Sequence, residues 1–252
     1  MGDIDQYADV LSEPQRRIWA KIASIARSRG GVLMGGTAVA VHLRHRFSED
    51  LDIMTLQPCP GALVAMQLGE AFAGFHAVDV ASDSCRAIVD GVRVDVFTAP
   101  QRPSAGPHGM RQVAADIEVC GMPVGSLPDL LATKLEIIQF RAKLRDYIDL
   151  YAIDARSDYT LEDGIGFYCH RYGHDQLPAG FGDTIAQLAN PGTLPEDPAF
   201  SHLTDQVLNH LSARAVDLAR RAATQFSLTG QPKRPARRPR NGPTPSPLPP
   251  EM

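Results

Sequence analysis

Two short stretches of this chain alternate charged with apolar residues at the period of a β-strand, and that alternation limits the chain to folds containing a sheet with one acidic face. In residues 50–55, Leu51, Ile53 and Thr55 alternate with Asp50, Asp52 and Met54. Residues two apart on a strand face the same side, so both carboxylates project together while Leu51 points into the core. In residues 92–97, Val92, Val94 and Val96 alternate with Arg93, Asp95 and Phe97. An acid in the middle of such a strand needs a partner, because burying an unpaired charge costs on the order of several kcal/mol. Asp95 either pairs with an arginine or, if its strand lies beside the Asp50–Asp52 strand, completes a three-carboxylate site of the kind two-metal phosphoryl transfer requires. Two convergent carboxylates suit Mg²⁺, a hard cation that takes oxygen ligands and shares them with phosphates.

Upstream, Gly35-Gly36-Thr37 stands between a strand candidate, Val32-Leu33-Met34, and a helix running to Arg44. Glycines there let backbone N–H groups approach a phosphate closely, and the helix N-terminus adds a favourable dipole. A tight strand-to-helix turn without a ligand fits the same residues. Downstream, Ser126-Leu127-Pro128-Asp129 resembles a capping box and launches a helix through Lys134. Lys134 sits among Leu130, Leu131, Leu135 and Ile138 and could reach a triphosphate as a point charge. At ~100° per residue, Lys134, Arg141 and Arg145 fall on one stripe, which for Arg141 reads as a solvated cationic face.

The first half of the chain mixes helix and strand patterns. Ser12-Glu13-Pro14 opens a helix with Ile18, Ile22 and Ile25 at helical spacing, and Gly30-Gly31 ends it. A second helix suits Pro60–Gly74. Strands follow at Phe75–Ala81 and Arg86–Val89, and Asp90-Gly91 turns the chain into the Asp95 strand. A second hairpin is expected over Val113–Val124, turning at Gly121-Met122. After residue 126 the pattern is helical, with helices near Arg145–Ala155, Leu161–Tyr172 and His202–Phe226. The expected organisation is α+β: a core over residues 1–125, a helical lobe over 126–228, and a disordered Pro/Arg-rich tail over 229–252.

Charge narrows the partners. Removing the tail's five basic residues and one acid from the chain's 25 and 29 leaves 20 basic and 28 acidic residues. An acidic body argues against a broad, purely electrostatic nucleic-acid surface, so a polyanion must be held locally. The basic tail is either an RNA or partner contact or a solubilising appendage. No run approaches the ~18 apolar residues of a membrane span, and the acidic start, Met1-Gly2-Asp3-Ile4-Asp5, lacks the pattern of a secretory signal. Four scattered cysteines favour reduced thiols and a cytoplasmic setting. Cys169, His170 and His174 could bind Zn²⁺, since His at i and i+4 share a helix face.

Met34-Gly35-Gly36-Thr37-Ala38, followed by His45-Arg46-Phe47-Ser48-Glu49-Asp50-Leu51-Asp52, resembles the first motif of the AbiEii/AbiGii toxin nucleotidyltransferases. Val94-Asp95-Val96-Phe97 resembles that family's strand bearing a third acid. Lys134 through Arg145-Asp146-Tyr147-Ile148-Asp149-Leu150-Tyr151 resembles its K…RDxxDL segment. The resemblance spans roughly residues 31–153. It implies a nucleotidyltransferase fold, a mixed sheet flanked by helices, with a helical C-terminal lobe. It also implies an NTP substrate and Mg²⁺ (or Mn²⁺) held by Asp50, Asp52 and Asp95, with Lys134 completing the catalytic set. Nucleotide binding falls to Gly35, Gly36, Thr37, Lys134, Arg145 and Asp146. Toxins of the family transfer nucleotides to the acceptor end of tRNA, and their partners are cognate antitoxins. Many nucleotidyltransferases carry a serine where Gly36 stands, which leaves backbone donors and Thr37 to meet the phosphates. Competing expectations are transfer to a protein or a small molecule such as an aminoglycoside, and a noncatalytic interaction module that retained the fold.

Overall fold

The structure is a computed structural model, and it describes residues 3–99, 106–141, 143–195 and 197–227, with side chains through residue 224. The expected tail, residues 229–252, lies outside the described residues. The described chain forms two units, one of residues 3–99 and 115–126, the other of residues 106–114 and 127–227.

The first unit is built on a seven-stranded sheet. Its elements are α1 (Glu13–Ser28), β1 (Gly31–Met34), α2 (Gly35–Leu43), β2 (Asp50–Thr55), α3 (Gly61–Ala71), β3 (Phe75–Val80), β4 (Ser84–Val89), β5 (Val92–Thr98), β6 (Ile117–Val119) and β7 (Met122–Val124). The strand order is β3-β4-β5-β2-β1-β7-β6. β2 runs parallel to β5 and β1 parallel to β7, and the remaining pairs are antiparallel, so the sheet is mixed.

Local chemistry explains the boundaries. Ser12 caps α1 and exchanges bonds with Gln15 in a capping box, with a proline in the first turn, a device worth about 1 kcal/mol. The helix buries Ile18, Trp19, Ile22, Ala23 and Ala26 and packs on β1 and β7. Trp19 is fully buried, and its indole N–H donates to the Val119 carbonyl at 3.0 Å. The hairpin between β4 and β5 turns on Asp90 and Gly91, both at positive φ, the signature of a two-residue turn that follows strand twist. The β6–β7 hairpin turns in the same way on Cys120 and Gly121, one residue before the expected Gly121-Met122, because Val119 pairs directly with Met122. Its strands are also shorter than expected. Ala114 and Val113 leave the sheet and donate their backbone N–H groups to Asp129.

The second unit contains α4 (Leu127–Ile137), α5 (Leu144–Arg156), α6 (Leu161–Arg171), α7 (Phe181–Ala189) and α8 (Thr204–Ser227). Residues 106–114 group with it because Gly106 and Arg111 donate to the carbonyls of Tyr172 and Arg171. A buried Arg171–Asp129 ion pair ties α6 to α4, and the two Val113 and Ala114 N–H groups occupy the rest of the Asp129 carboxylate. Such a pair is tolerable only when its remaining lone pairs are also satisfied. α7 went unread in the sequence.

Two expectations about this unit do not survive. α4 ends at Ile137 and α5 begins at Leu144, so Lys134 and Arg145 lie on different helices and the proposed cationic stripe does not exist. α6 ends at Arg171, and Gly173 at φ +68 turns the chain before His174. His170 and His174 therefore share no helix face, which removes the geometric basis for zinc. His170 bonds instead to the Gln112 carbonyl, and His174 stacks on Tyr168. No described helix is long and apolar enough to cross a membrane.

Candidate active site

The parallel pairing of β2 with β5 puts Asp52 in register with Asp95 and Asp50 in register with Arg93. Cross-strand partners project to the same face, so Asp50, Asp52 and Asp95 share one face of the sheet. The opposite face carries Leu51, Ile53, Val94 and Val96, all buried. A small cavity lined mainly by apolar side chains, among them Ile22, Ile53, Leu68 and Val96, with Arg29 and Thr55 also bordering it, lies on that side, away from the acids.

β1 completes the acidic corner. Met34 pairs with Asp52, so the chain leaves β1 beside that carboxylate and immediately enters α2. Gly35 makes the turn at φ +71, and its Cα lies so close to the acid that a Cβ would overlap Asp52 Oδ2 and come within 3.1 Å of Cγ. The first N–H groups of α2 have no intrahelical acceptor, and the helix carries no side-chain cap. They are available to an anion beside Asp52. Gly35→Ala is expected to cost about 1–2 kcal/mol through its left-handed backbone. It should also displace the Asp52 carboxylate, and an ångström of misplacement costs about a hundredfold in rate. Thermal melts and transfer rates measured together check both halves.

Thr37 has a different role from the one its position suggests. It is buried, its hydroxyl donates to the Asp50 carbonyl, and the Ser48 hydroxyl lies 2.7 Å from it. Since Thr37 donates to Asp50, Ser48 must supply the other proton. The side chain thus braces the start of β2, and any phosphate contact is left to the Thr37 backbone. Ser48 is pinned in turn, because its N–H donates to the Val10 carbonyl. His45 and Arg46 are buried in the same loop, where Arg46 donates to the Phe47 carbonyl.

Asp95 is not a bare acid. Arg86 Nε sits 3.2 Å from Oδ2, and Arg93 donates to Oδ2 at 2.7 Å. Arg93 also reaches Asp50, at 3.8 Å. The bond to Asp95 raises the guanidinium pKa of Arg93 further above its ordinary value. The hydrophobic neighbours of β5 therefore leave Asp95 with arginine partners and with Asp52 in register beside it. Among the described residues no three His, Cys, Asp or Glu side chains are gathered as a metal-holding cluster. The donor set still fits a hard cation: two aspartates two residues apart on one face, a third in register, and a glycine that leaves room at Asp52.

In the second unit, Lys134 is buried between two acids, 2.7 Å from Asp146 and 2.5 Å from Asp149. Arg141 approaches Asp146 from the solvent side at 3.1 Å. Burial pushes the Asp146 carboxyl up, but the charges of Lys134 and Arg141 outweigh it and hold the carboxyl below its ordinary range. Both acids of the RDxxDL segment thus orient Lys134. Arg145 instead pairs with Asp197 at 2.9 Å and lies over the Phe200 ring.

The sequence pattern of the family described as "Nucleotidyl transferase AbiEii toxin, Type IV TA system" matches residues 26–233. That range covers most of the first unit, the whole described second unit and each acid of the candidate site. The chain belongs to the AbiEii nucleotidyltransferase toxin family. It is an enzyme of nucleotidyl transfer with a mixed sheet and flanking helices.

The AbiEii chain is similar in structure to MenT4, a nucleotidyltransferase toxin of Mycobacterium tuberculosis H37Rv, at 16% identity over 77% of this chain and 79% of that one, with a TM-score of 0.43. It is also similar to the Megavirus polyadenylate synthase, at 16% identity over 56% and 32% of the two chains, TM-score 0.39. The antibiotic-resistance factor ANT(2'')-Ia matches at 14% identity over 90% and 98%, TM-score 0.35. No curated protein matches the sequence significantly.

Arg86 is the site residue that sequence reading missed, although a signal was present. A two-residue turn at Asp90-Gly91 fixes the hairpin register, and counting back from it sets Arg86 opposite Asp95. The Ser48–Thr37 brace had no such signal, since it depends on a loop closing onto a helix.

Proposed function

We propose that this AbiEii-family enzyme moves a nucleoside monophosphate from an NTP to an acceptor hydroxyl on RNA, with tRNA as the acceptor. Asp50 and Asp52 hold a divalent cation, Mg²⁺ or Mn²⁺, and Asp95 joins them. When bound, the metal supplies charge neutralisation at the triphosphate and at the attacking oxygen. The α2 N-terminus at Gly35, Gly36 and Thr37 receives phosphate oxygens through backbone N–H groups. Asp95 favours loss of the acceptor hydroxyl's proton, and that oxygen attacks the α-phosphate as pyrophosphate leaves. Lys134, Arg145 and Asp146 match the family's lysine and its arginine-aspartate pair. Lys134 and Asp146, buried against each other, would support nucleotide binding by holding that segment in place and not by contact.

The observation that carries this reading is the alignment of Asp52 with Asp95 on paired strands, beside a glycine whose missing side chain leaves the carboxylate its space. A cognate antitoxin is supported by family membership, whose description names a type IV toxin–antitoxin system; the RNA acceptor rests on the motif resemblance. The four cysteines are free thiols, which supports a reducing, cytoplasmic setting.

Incubating the protein with each labelled triphosphate and Mg²⁺, first with total RNA and then with a protein extract or an aminoglycoside, tests the reading. Label is expected in RNA of tRNA size from one preferred triphosphate. Label in protein or aminoglycoside would redirect the acceptor, and no label with any acceptor would overturn transferase activity.

A further inference from the structure

The acidic face carries a feature that the proposed reaction does not by itself require. Two guanidinium groups lie on the carboxylates that are to take the cation. Arg93 bridges Asp95 and Asp50, and Arg86 Nε lies 3.3 and 3.2 Å from the two Asp95 oxygens. The three acids and two arginines together carry one negative charge, and Asp79, in register with Arg86, adds a second to that face, so a divalent cation would neutralise it. A cation and a guanidinium compete for the same carboxylate lone pairs, so both cannot hold Asp95 and Asp50 fully.

The arginines differ from Asp95 in exposure. The Asp95 side chain is only 12% exposed, whereas Arg93 and Arg86 are 43% and 49% exposed. Their stems rise from the sheet and their heads lie at its surface, within reach of solvent and of any ligand arriving there. Asp50 is similarly open, at 44%. The planar guanidinium fork matches phosphate oxygens as well as it matches a carboxylate. A guanidinium released from Asp50 and Asp95 therefore has a ready second partner in a polyphosphate brought to the same face.

We propose that Arg93 is an exchange residue, bridging Asp95 and Asp50 in the nucleotide-free enzyme and turning to phosphate oxygens of the NTP when these carboxylates take the cation. This rests on the metal and triphosphate use proposed above. It makes cation and triphosphate binding reciprocally coupled, since each ligand removes a competitor of the other. Arg93 guards against metal alone and rewards metal with triphosphate. Arg86, opposite Asp95 on β4, keeps that acid neutralised while Arg93 moves.

Calorimetric titration of the full chain with Mn²⁺ alone, and with inorganic tripolyphosphate in excess Mn²⁺, tests the exchange without knowledge of the base. Solution chelation is the same for every variant, so coupling is read as the difference between proteins. Arg93→Gln is expected to tighten Mn²⁺ alone by about three- to tenfold and to weaken Mn²⁺–tripolyphosphate by about tenfold. Arg93→Lys keeps the charge but not the fork. It should bind Mn²⁺ much as the unsubstituted protein does and lose several-fold in tripolyphosphate affinity, and it carries the test if Arg93→Gln melts early. Weaker Mn²⁺ binding by a folded Arg93→Gln would make Arg93 a fixed brace and overturn the exchange. Unchanged affinities for both ligands would do the same, while leaving the transferase reading intact. If the unsubstituted protein binds neither Mn²⁺ nor tripolyphosphate, the transferase reading falls as well.

Discussion

Asp52→Asn is expected to reduce nucleotide transfer by at least about 10²–10³-fold, the loss typical of removing one preorganised electrostatic group at a reacting centre, while leaving the melting temperature within a few degrees. Asp52 occupies the point where three elements meet. It pairs with Met34 on β1 and with Asp95 on β5, and it lies against Gly35 at the start of α2. Asparagine keeps the shape against Gly35 but removes the charge that a cation needs. Because Asp52 is on the polar face of the sheet, the apolar face formed by Leu51 and Ile53 keeps its packing. Single-turnover transfer rates beside thermal melts separate the two effects. Transfer within a few-fold of the unsubstituted enzyme, in a folded Asp52→Asn protein, would contradict the assignment.

The second large effect concerns stability. Lys134→Met is expected to cost about 3–5 kcal/mol, because it leaves Asp146 and Asp149 buried without their shared cation. That is a large share of a domain's total stability, and the melting temperature should fall by about 10 °C or more. Both acids are almost wholly inaccessible, so water cannot replace the ammonium. Adding Asp146→Asn and Asp149→Asn to Lys134→Met should recover part of the loss, since the buried charges are then gone. A fall of only one or two degrees in the single variant would show that the network is not needed for folding.

The same network sets an acid limit. The folded Asp146 carboxyl is held below its ordinary value of 3.8 by Lys134 and Arg141, against the opposing effect of burial. A depressed folded pKa gives stability that is full above the unfolded value and is lost as pH falls through the folded one. The contribution therefore persists at neutral and mildly acidic pH and disappears only below about pH 3.8. In Lys134→Met the main opposing charge is gone and burial dominates, so the folded carboxyl takes up its proton more readily than the unfolded one. The response of this group should then shift from stability lost in acid to stability partly recovered as pH falls. Melting curves collected from pH 7 to pH 3 on both proteins would display the shift.

Much of the chemistry was legible because strand alternation and short turns are local. The period of two in residues 50–55 and 92–97 placed Asp50 with Asp52, and Asp95 with Arg93, before any pairing was known. Ser12 with Gln15, and Asp90 with Gly91, fix their own geometry through bonds and backbone angles within a few residues. The sequence by itself therefore determined the sheet, the first helix, the hairpin before Asp95, and which acids face which way. Tertiary structure decided which strands lie side by side, because parallel pairing of β2 with β5 joins segments forty residues apart and no local angle encodes it. It likewise turned Thr37 inward to Ser48 and Asp50, ended α4 before Arg141, and drew Asp146 and Asp149 together onto Lys134. A buried polar group takes whichever partner the packing brings to it, since leaving it without one costs more than any local preference supplies.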